Sequence, residues 1–227
     1  MLLHKAALEF TVPFIADHDT RYILNGLRIE PNKLVATNGD CLAWIAPNTG
    51  VSDKDFPAIP GVPDELPEVQ EVVVGKDFVN QVIKAIPKAK HTMPVLGHAL
   101  LNTATQNGTV EVWTTDIDTK QSHAAKVMEG KYPDYEACIP KDEPVYETAI
   151  DLKYLTQVCQ AMKKIGVEHA VKMSFYQNGK LPGVMIFESC RKDGSLNGSV
   201  LVMPILAGEK PVCGLNLDQA RKLLHTD

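Results

Sequence analysis

Two carboxylates, Asp116 and Asp118, are the nearest approach in this sequence to an acid–base pair. Such a pair works on a substrate or a metal only when both side chains converge on one reacting atom. Positions i and i+2 of a strand do point the same way, but these two fall in a turn, where solvation accounts for both charges. Asp17-His18-Asp19 has the composition of a metal cluster and reads as a polar turn. The histidines, at positions 4, 18, 91, 98, 123, 169 and 225, show neither H-x-x-x-H nor H-E-x-x-H spacing. No phosphate loop, G-x-G-x-x-G or G-x-S-x-G occurs. The five cysteines, Cys41, Cys138, Cys159, Cys190 and Cys213, are scattered and include no C-x-x-C, which points to reduced thiols and not to zinc or disulfides. The expectation is a protein without catalytic residues, metal or cofactor, hence not an enzyme.

What remains is charge. The chain has 227 residues, 44% hydrophobic and 22% charged, an ordinary globular composition. No apolar run approaches the ~18 residues of a membrane helix, and Met1-Leu2-Leu3-His4-Lys5 lacks the layout of a secretion signal, so the expected location is cytoplasmic. A net charge of −5 counts against a simple nucleic-acid binder. The distribution is uneven, however. Acidic residues concentrate in Asp53–Glu71 and Asp142–Glu147, whereas Lys76, Lys84, Lys88 and Lys90 gather in one helical region, Lys153, Lys163 and Lys164 in another, and Arg221 and Lys222 in the tail. Lysines near a helix C-terminus are what the macrodipole favours; as a set these cations make a basic surface.

The elements that position these residues repeat. Leu2–Ala16 spaces Leu3, Ala6, Ala7, Phe10 and Phe14 as a helix interrupted near Pro13. Strands follow at Arg21–Ile29, Lys33–Thr37 and Cys41–Ala46, the last two joined by the Asn38-Gly39 hairpin signal. After a Pro- and Asp-rich connection, Glu71–Val74 reads as a strand and Lys76–Lys88 as a helix. Strands come next near Leu96–Thr103, Val110–Thr114 and Ser122–Met128. A third round comprises a strand at Val145–Ile150, a helix at Leu152–Lys164, and strands at Ala170–Tyr176, Gly183–Glu188 and Ser199–Met203. A fourth begins with a strand at Pro211–Leu215 and a helix at Leu217–His225. The unit is strand–helix–three strands. The first copy is expected to lack its opening strand, and the last to stop after its helix.

Three stretches carry a family resemblance. Arg21-Tyr22-Ile23-Leu24-Asn25-Gly26, with Val35–Ala43, resembles the second domain of the bacterial DNA sliding clamp, the β subunit of DNA polymerase III. Gly130-Lys131-Tyr132-Pro133-Asp134-Tyr135, running to Ile139-Pro140, is similar to the motif that closes that domain. Val200-Leu201-Val202-Met203-Pro204-Ile205 resembles the C-terminal strand of the third domain. The chain departs from the family in three ways. Nothing resembles the first domain, the third is reduced to its second half, and Cys41, Glu136 and Ala137 stand where the family has basic residues.

The resemblance implies an α+β protein of clamp-like repeats, antiparallel sheets with helices on one face. Residues 1–140 would form a domain, 141–206 a half-domain, and 207–227 a tail strand and helix. It implies that the lysines and arginine named above contact double-stranded DNA without reading sequence. It also implies that Leu24, Thr37, Gly39, Leu42, Pro133, Cys138, Leu201, Met203, Pro204 and Ile205 line a cleft for peptides of DNA polymerase and other clamp-binding proteins. The expected function is a processivity or tethering factor that forms homo-oligomers. The alternative is a clamp-derived adaptor or inhibitor that binds replication proteins without encircling DNA. The tail's strand and helix are a candidate to fill part of the missing half-domain, in the same chain or a neighbour.

Overall fold

A computed structural model describes residues 1–48, 50–58, 62, 67–87, 93–103, 108–140, 150–165, 167, 170–178, 181–189 and 198–202. The chain divides into two compact units, residues 1–140 and 141–227.

The first unit begins with strand β1 (Leu2–His4), which runs directly into helix α1 (Lys5–Thr11) and a 3-10 turn (Val12–Phe14). This corrects the single helix expected over Leu2–Ala16 and gives the first copy the opening strand it was expected to lack. Leu2, Leu3 and His4 pair antiparallel with Leu100, Ala99 and His98 of a distant strand. Both faces of β1 are covered, Leu2 packing with Phe56, Leu100 and Trp113 while Leu3 joins the main core. Leu2 and Leu3 are apolar, adjacent and buried on opposite faces, so β1 shows no alternation and blends into the helix that follows. The His4 ring accepts the Ala6 amide at 3.2 Å and caps α1. The helix buries Ala7, Leu8 and Thr11; Phe10, expected on that face, is exposed.

Strands β2 (Gly26–Ile29), β3 (Leu34–Thr37) and β4 (Leu42–Ile45) follow. Only the second half of the strand expected over Arg21–Ile29 forms, because Tyr22–Asn25 close a 3-10 turn. The β3–β4 hairpin turns at Asn38-Gly39, with Gly39 at φ +94°, a region glycine enters without strain. The second half of this unit is β5 (Val72–Gly75), α2 (Lys76–Ala85), β6 (His98–Asn102), β7 (Thr109–Thr115) and β8 (Lys120–Lys126). Helix α2 stops short of Lys88: Pro87 disfavours helical geometry at Ile86, which is extended at ψ 121°.

The two sheets have the orders β4-β3-β2-β5 and β1-β6-β7-β8. Each half therefore gives its opening strand to the other half's sheet, so neither sheet is complete within one copy of the repeat. Between them lies a core of Leu27, Ile29, Leu34, Ala36, Val74, Val79, Val82, Ala99, Leu101, Val110 and Val112. All are at most 2% exposed, so truncating a single leucine here costs ~2–5 kcal/mol.

The second unit carries α3 (Leu152–Lys164), β9 (Val171–Asn178), β10 (Leu181–Ser189) and β11 (Ser199–Val202). Asp151 caps α3, its carboxylate accepting the Lys153 amide at 2.7 Å. Val158 and Met162 face Met185, Phe187 and Val202 across a small core, and the sheet order is β11-β10-β9. The fold is α+β, with antiparallel sheets and few helices. The strand expected at Val145–Ile150 lies outside the described residues except for its last position. The expected tail strand and helix lie wholly outside them.

Candidate nucleic-acid and partner surfaces

The lysines proposed to meet DNA fall into two kinds. Lys76 is the first residue of α2, and its ammonium is 2.8 Å from Asp17 and 3.2 Å from the Ile15 carbonyl. The Lys76 hydrogen bond, more than its charge, holds the Asp17 carboxyl below the usual carboxylate range. This charge is committed inside the fold. Lys84 is exposed near the end of α2 and makes no ion pair with any described residue. On α3 the inward stripe is Leu155, Val158, Met162 and Ile165. Lys153, Gln157, Gln160 and Lys164, at i, i+4, i+7 and i+11, form the opposite, solvent-facing stripe, with Lys163 beside it. Lys153 and Lys164 stand ~16 Å apart along the axis. Lys88, Lys90, Arg221 and Lys222 lie outside the described residues.

The proposed cleft residues of the first unit occupy different environments. Leu24 is fully buried, and Leu42 packs half-buried against a cluster of Val35, Val73, Tyr132 and Tyr135. The Thr37 hydroxyl accepts the Gly39 amide at 3.1 Å and donates to the Cys41 carbonyl at 2.7 Å, fastening the hairpin. Pro133, Cys138 and Gly39 are exposed. In the second unit Leu201 is 57% exposed on β11. It borders a groove of about 390 Å³ with Tyr154, Gln157, Ala161 and Val200, an apolar surface with one amide. Met203, Pro204 and Ile205 lie outside the described residues.

Sequence reading alone missed Arg28. Its guanidinium sits over the rings of both Tyr132 and Tyr135, at 5.4 and 5.3 Å from their centroids. Nη2 pairs with Glu71 at 2.9 Å, and Nε lies 2.7 Å from Glu30 as an ion pair not angled for a hydrogen bond. Tyr135 donates to Glu30 at 2.9 Å. Burial, before any neighbouring charge, pushes the Tyr132 phenol up to about 12 and the Tyr135 phenol well above its ordinary value. The two tyrosines of Gly130–Tyr135 thus clamp a cation on β2 and pin the segment after β8 onto the first sheet. Spacing could not have shown this, since Arg28 and Tyr132 are far apart in sequence.

The acid–base candidates resolve into turn chemistry. Asp116 accepts the Thr119 amide at 2.7 Å and its hydroxyl at 2.9 Å, around Ile117 at φ +87°. Asp19 accepts from the Arg21 backbone and guanidinium, and Asp17 from Lys76. Among the described residues no three His, Cys, Asp or Glu side chains gather as a metal would require. No helix among them is long and apolar enough to cross a membrane. The β8 edge is polar, with Lys120 and Lys126 at its ends, which discourages unprogrammed strand addition.

No protein-family model matches the chain, and no curated protein does. Solved structures do. The beta sliding clamp of C. crescentus superposes with a TM-score of 0.60 at 19% identity, over 92% of this chain and 51% of that one. The beta subunit of DNA polymerase from Streptococcus pyogenes gives 0.61 at 12% identity, over 91% and 50%. The sliding clamp of Pseudomonas aeruginosa, DNA polymerase III subunit beta, bound to griselimycin, gives 0.59 at 17% identity, over 92% and 50%. The chain has the fold of the bacterial β sliding clamp, shortened, and spans about half the length of these clamps.

Proposed function

We propose that this chain is a clamp-type tethering protein that associates with double-stranded DNA without sequence preference and docks replication or repair proteins. The observation that carries the reading is the α3 stripe of Lys153, Lys163 and Lys164, exposed on a fold shared with β sliding clamps. Lysines on a helix surface neutralise phosphates at any sequence, so binding weakens steeply with salt. Protein partners dock on apolar surface, at Leu42 in the first unit and separately at Leu201 in the second, and assembly into homo-oligomers is what would let such a chain enclose DNA. Nothing in this reading calls for catalysis, since Asp116 and the Asp17–Asp19 stretch are engaged in turns and ion pairs.

The test is retention on closed circular against linear DNA across a salt series. Encirclement predicts retention on the circle and loss from linear ends. Replacing Lys153, Lys163 and Lys164 by Gln should lower the slope of log affinity against log salt by up to ~0.9 for each phosphate no longer neutralised. Equal, salt-insensitive binding by both proteins would overturn the reading.

A second reading is favoured by one observation: Lys76, a proposed DNA contact, is engaged by Asp17 and Ile15. In it the chain is an adaptor or inhibitor that binds replication proteins without surrounding DNA. Stoichiometric capture of a full-length clamp or polymerase by a strictly monomeric chain, with no retention on circular DNA, would select it.

A further inference from the structure

In the first unit, the strand following each helix is covered by the opposite half. The core-facing residues of β2, Leu27 and Ile29, and of β6, Ala99 and Leu101, are at most 1% exposed. Each of these strands also receives the other half's opening strand along its outer edge, β5 on β2 and β1 on β6. Strand β9 occupies the same place after α3. Its Met173 and Phe175 stand opposite the buried Phe187 and Met185 in the ladder, so they face the core side of the sheet. Yet Val171, Met173 and Phe175 are 37%, 50% and 50% exposed. Leu152, the first residue of α3, holds the position of Lys5 in α1 and Lys76 in α2, and it is 75% exposed. Among the described residues, β9 pairs with β10 alone. Around Val171, Met173 and Leu152 the described residues therefore leave exposed the surface that a second strand–helix half would bury.

We propose that residues 211–225 of the same chain occupy this surface, Pro211–Leu215 as a strand along the β9 edge and Leu217–His225 as a helix over Val171, Met173 and Leu152. The sequence offers an opening strand followed directly by a helix whose Leu217, Ala220, Leu223 and Leu224 form one apolar face. That is the order of β5 and α2. The connection also suffices. From β11 to a new strand beyond β9 is three strand spacings, ~14 Å, and the eight residues 203–210 reach up to ~27 Å. Helix α2 arrives by the same route in the first unit, from β4 across the sheet to β5. The second unit then becomes nearly a complete clamp domain, and this holds whether or not the chain binds DNA.

Hydrogen exchange read by mass spectrometry on the full chain tests the proposal. Amides of residues 171–178 should be protected, and deleting residues 209–227 should speed their exchange at least tenfold while β6–β8 stay unchanged. Added peptide 207–227 should restore the protection. Should truncation unfold the whole second unit, the full-length variants Cys213→Pro and Leu224→Asp decide. Each should deprotect β9 while β10 keeps its protection. Unchanged β9 exchange in the truncated chain or in both variants overturns the proposal. So does β9 protection that appears only in dimers by sedimentation, which would place the tail in a neighbouring chain.

Discussion

Lys5 and Lys76 make one contact in two directions: the Lys5 ammonium donates to the Ile86 carbonyl at 2.8 Å, and the Lys76 ammonium to the Ile15 carbonyl at 3.2 Å. Each lysine opens a helix, and each carbonyl belongs to the segment that leaves the other helix. The two halves of the first unit are thus related by an approximate twofold that reaches individual hydrogen bonds, and each cation sits where a helix or turn presents unpaired carbonyls.

Replacing either lysine by Met should destabilise the first unit by ~1.5–3 kcal/mol, the worth of a hydrogen bond to a charged group. Both tryptophans, Trp44 and Trp113, lie in this unit, so urea unfolding followed by tryptophan fluorescence reads it selectively. Lys76→Met should leave any DNA affinity unchanged, because that charge is already engaged by Asp17.

The first unit should lose stability as pH falls through the histidine range. His98 is buried with its ring 4.7 Å from that of His4, and burial, then the charge of His4, lowers its pKa from 6.5. Its Nδ1 lies 3.2 Å from the carbonyls of Pro94 and Val95, and its buried Nε2 has no hydrogen-bond partner among the described residues. A depressed pKa means the unfolded chain takes up the proton first. The contribution of neutral His98 is therefore complete above the unfolded pKa and declines as pH falls toward the folded one. Urea midpoints measured from pH 7.5 down to ~5 should fall, and His98→Gln should flatten the curve.

Arg28→Met should cost on the order of 3 kcal/mol, since it leaves Glu30 without its cation and removes the stack between Tyr132 and Tyr135. Arg28→Lys should recover only part, because an ammonium lacks the flat face. Adding Glu30→Gln to Arg28→Met should return some of the loss. A double-mutant cycle on urea midpoints gives the coupling, and zero coupling would refute the clamp.

Gly26→Ala and Gly75→Ala are register partners on β2 and β5 that should behave differently. A Cβ at Gly26 would come 2.6 Å from both Met128 Sδ and Val73 Cγ1 and 2.9 Å from the Val74 carbonyl, which cannot move without parting the strands. At Gly75 the nearest atom, Met128 Sδ, is 3.9 Å away. Gly26→Ala should cost ~2–3 kcal/mol and Gly75→Ala less than ~1 kcal/mol, compared by thermal melting.

Local pattern carried the elements whose signals are local. Leu155, Val158 and Met162 mark α3 by spacing, and Asn38-Gly39 marks the β3–β4 hairpin. The repeat and the clamp resemblance were legible for the same reason. The opening strand β1 was not, because Leu2 and Leu3, adjacent and buried on opposite faces, look like the start of the helix they lead into. Long-range electrostatics were equally hidden. Nothing near Lys76 in sequence announces that Asp17 and Ile15 will hold its charge, and nothing near Tyr132 announces Arg28. Leu24, which the resemblance assigns to the cleft, is buried within the first unit, and its neighbours in sequence do not announce that burial.

The exchange of opening strands also sets a timetable for synthesis. Leu3 pairs with Ala99, so β1 has no ladder to join until its partner, nearly a hundred residues later, has left the ribosome. At ~5–20 residues per second the Leu2-Leu3 pair waits ~5–20 s for that partner. During that interval the apolar Leu2 and Leu3 stay without the strand that covers them, beside a half-built sheet open to non-native pairing.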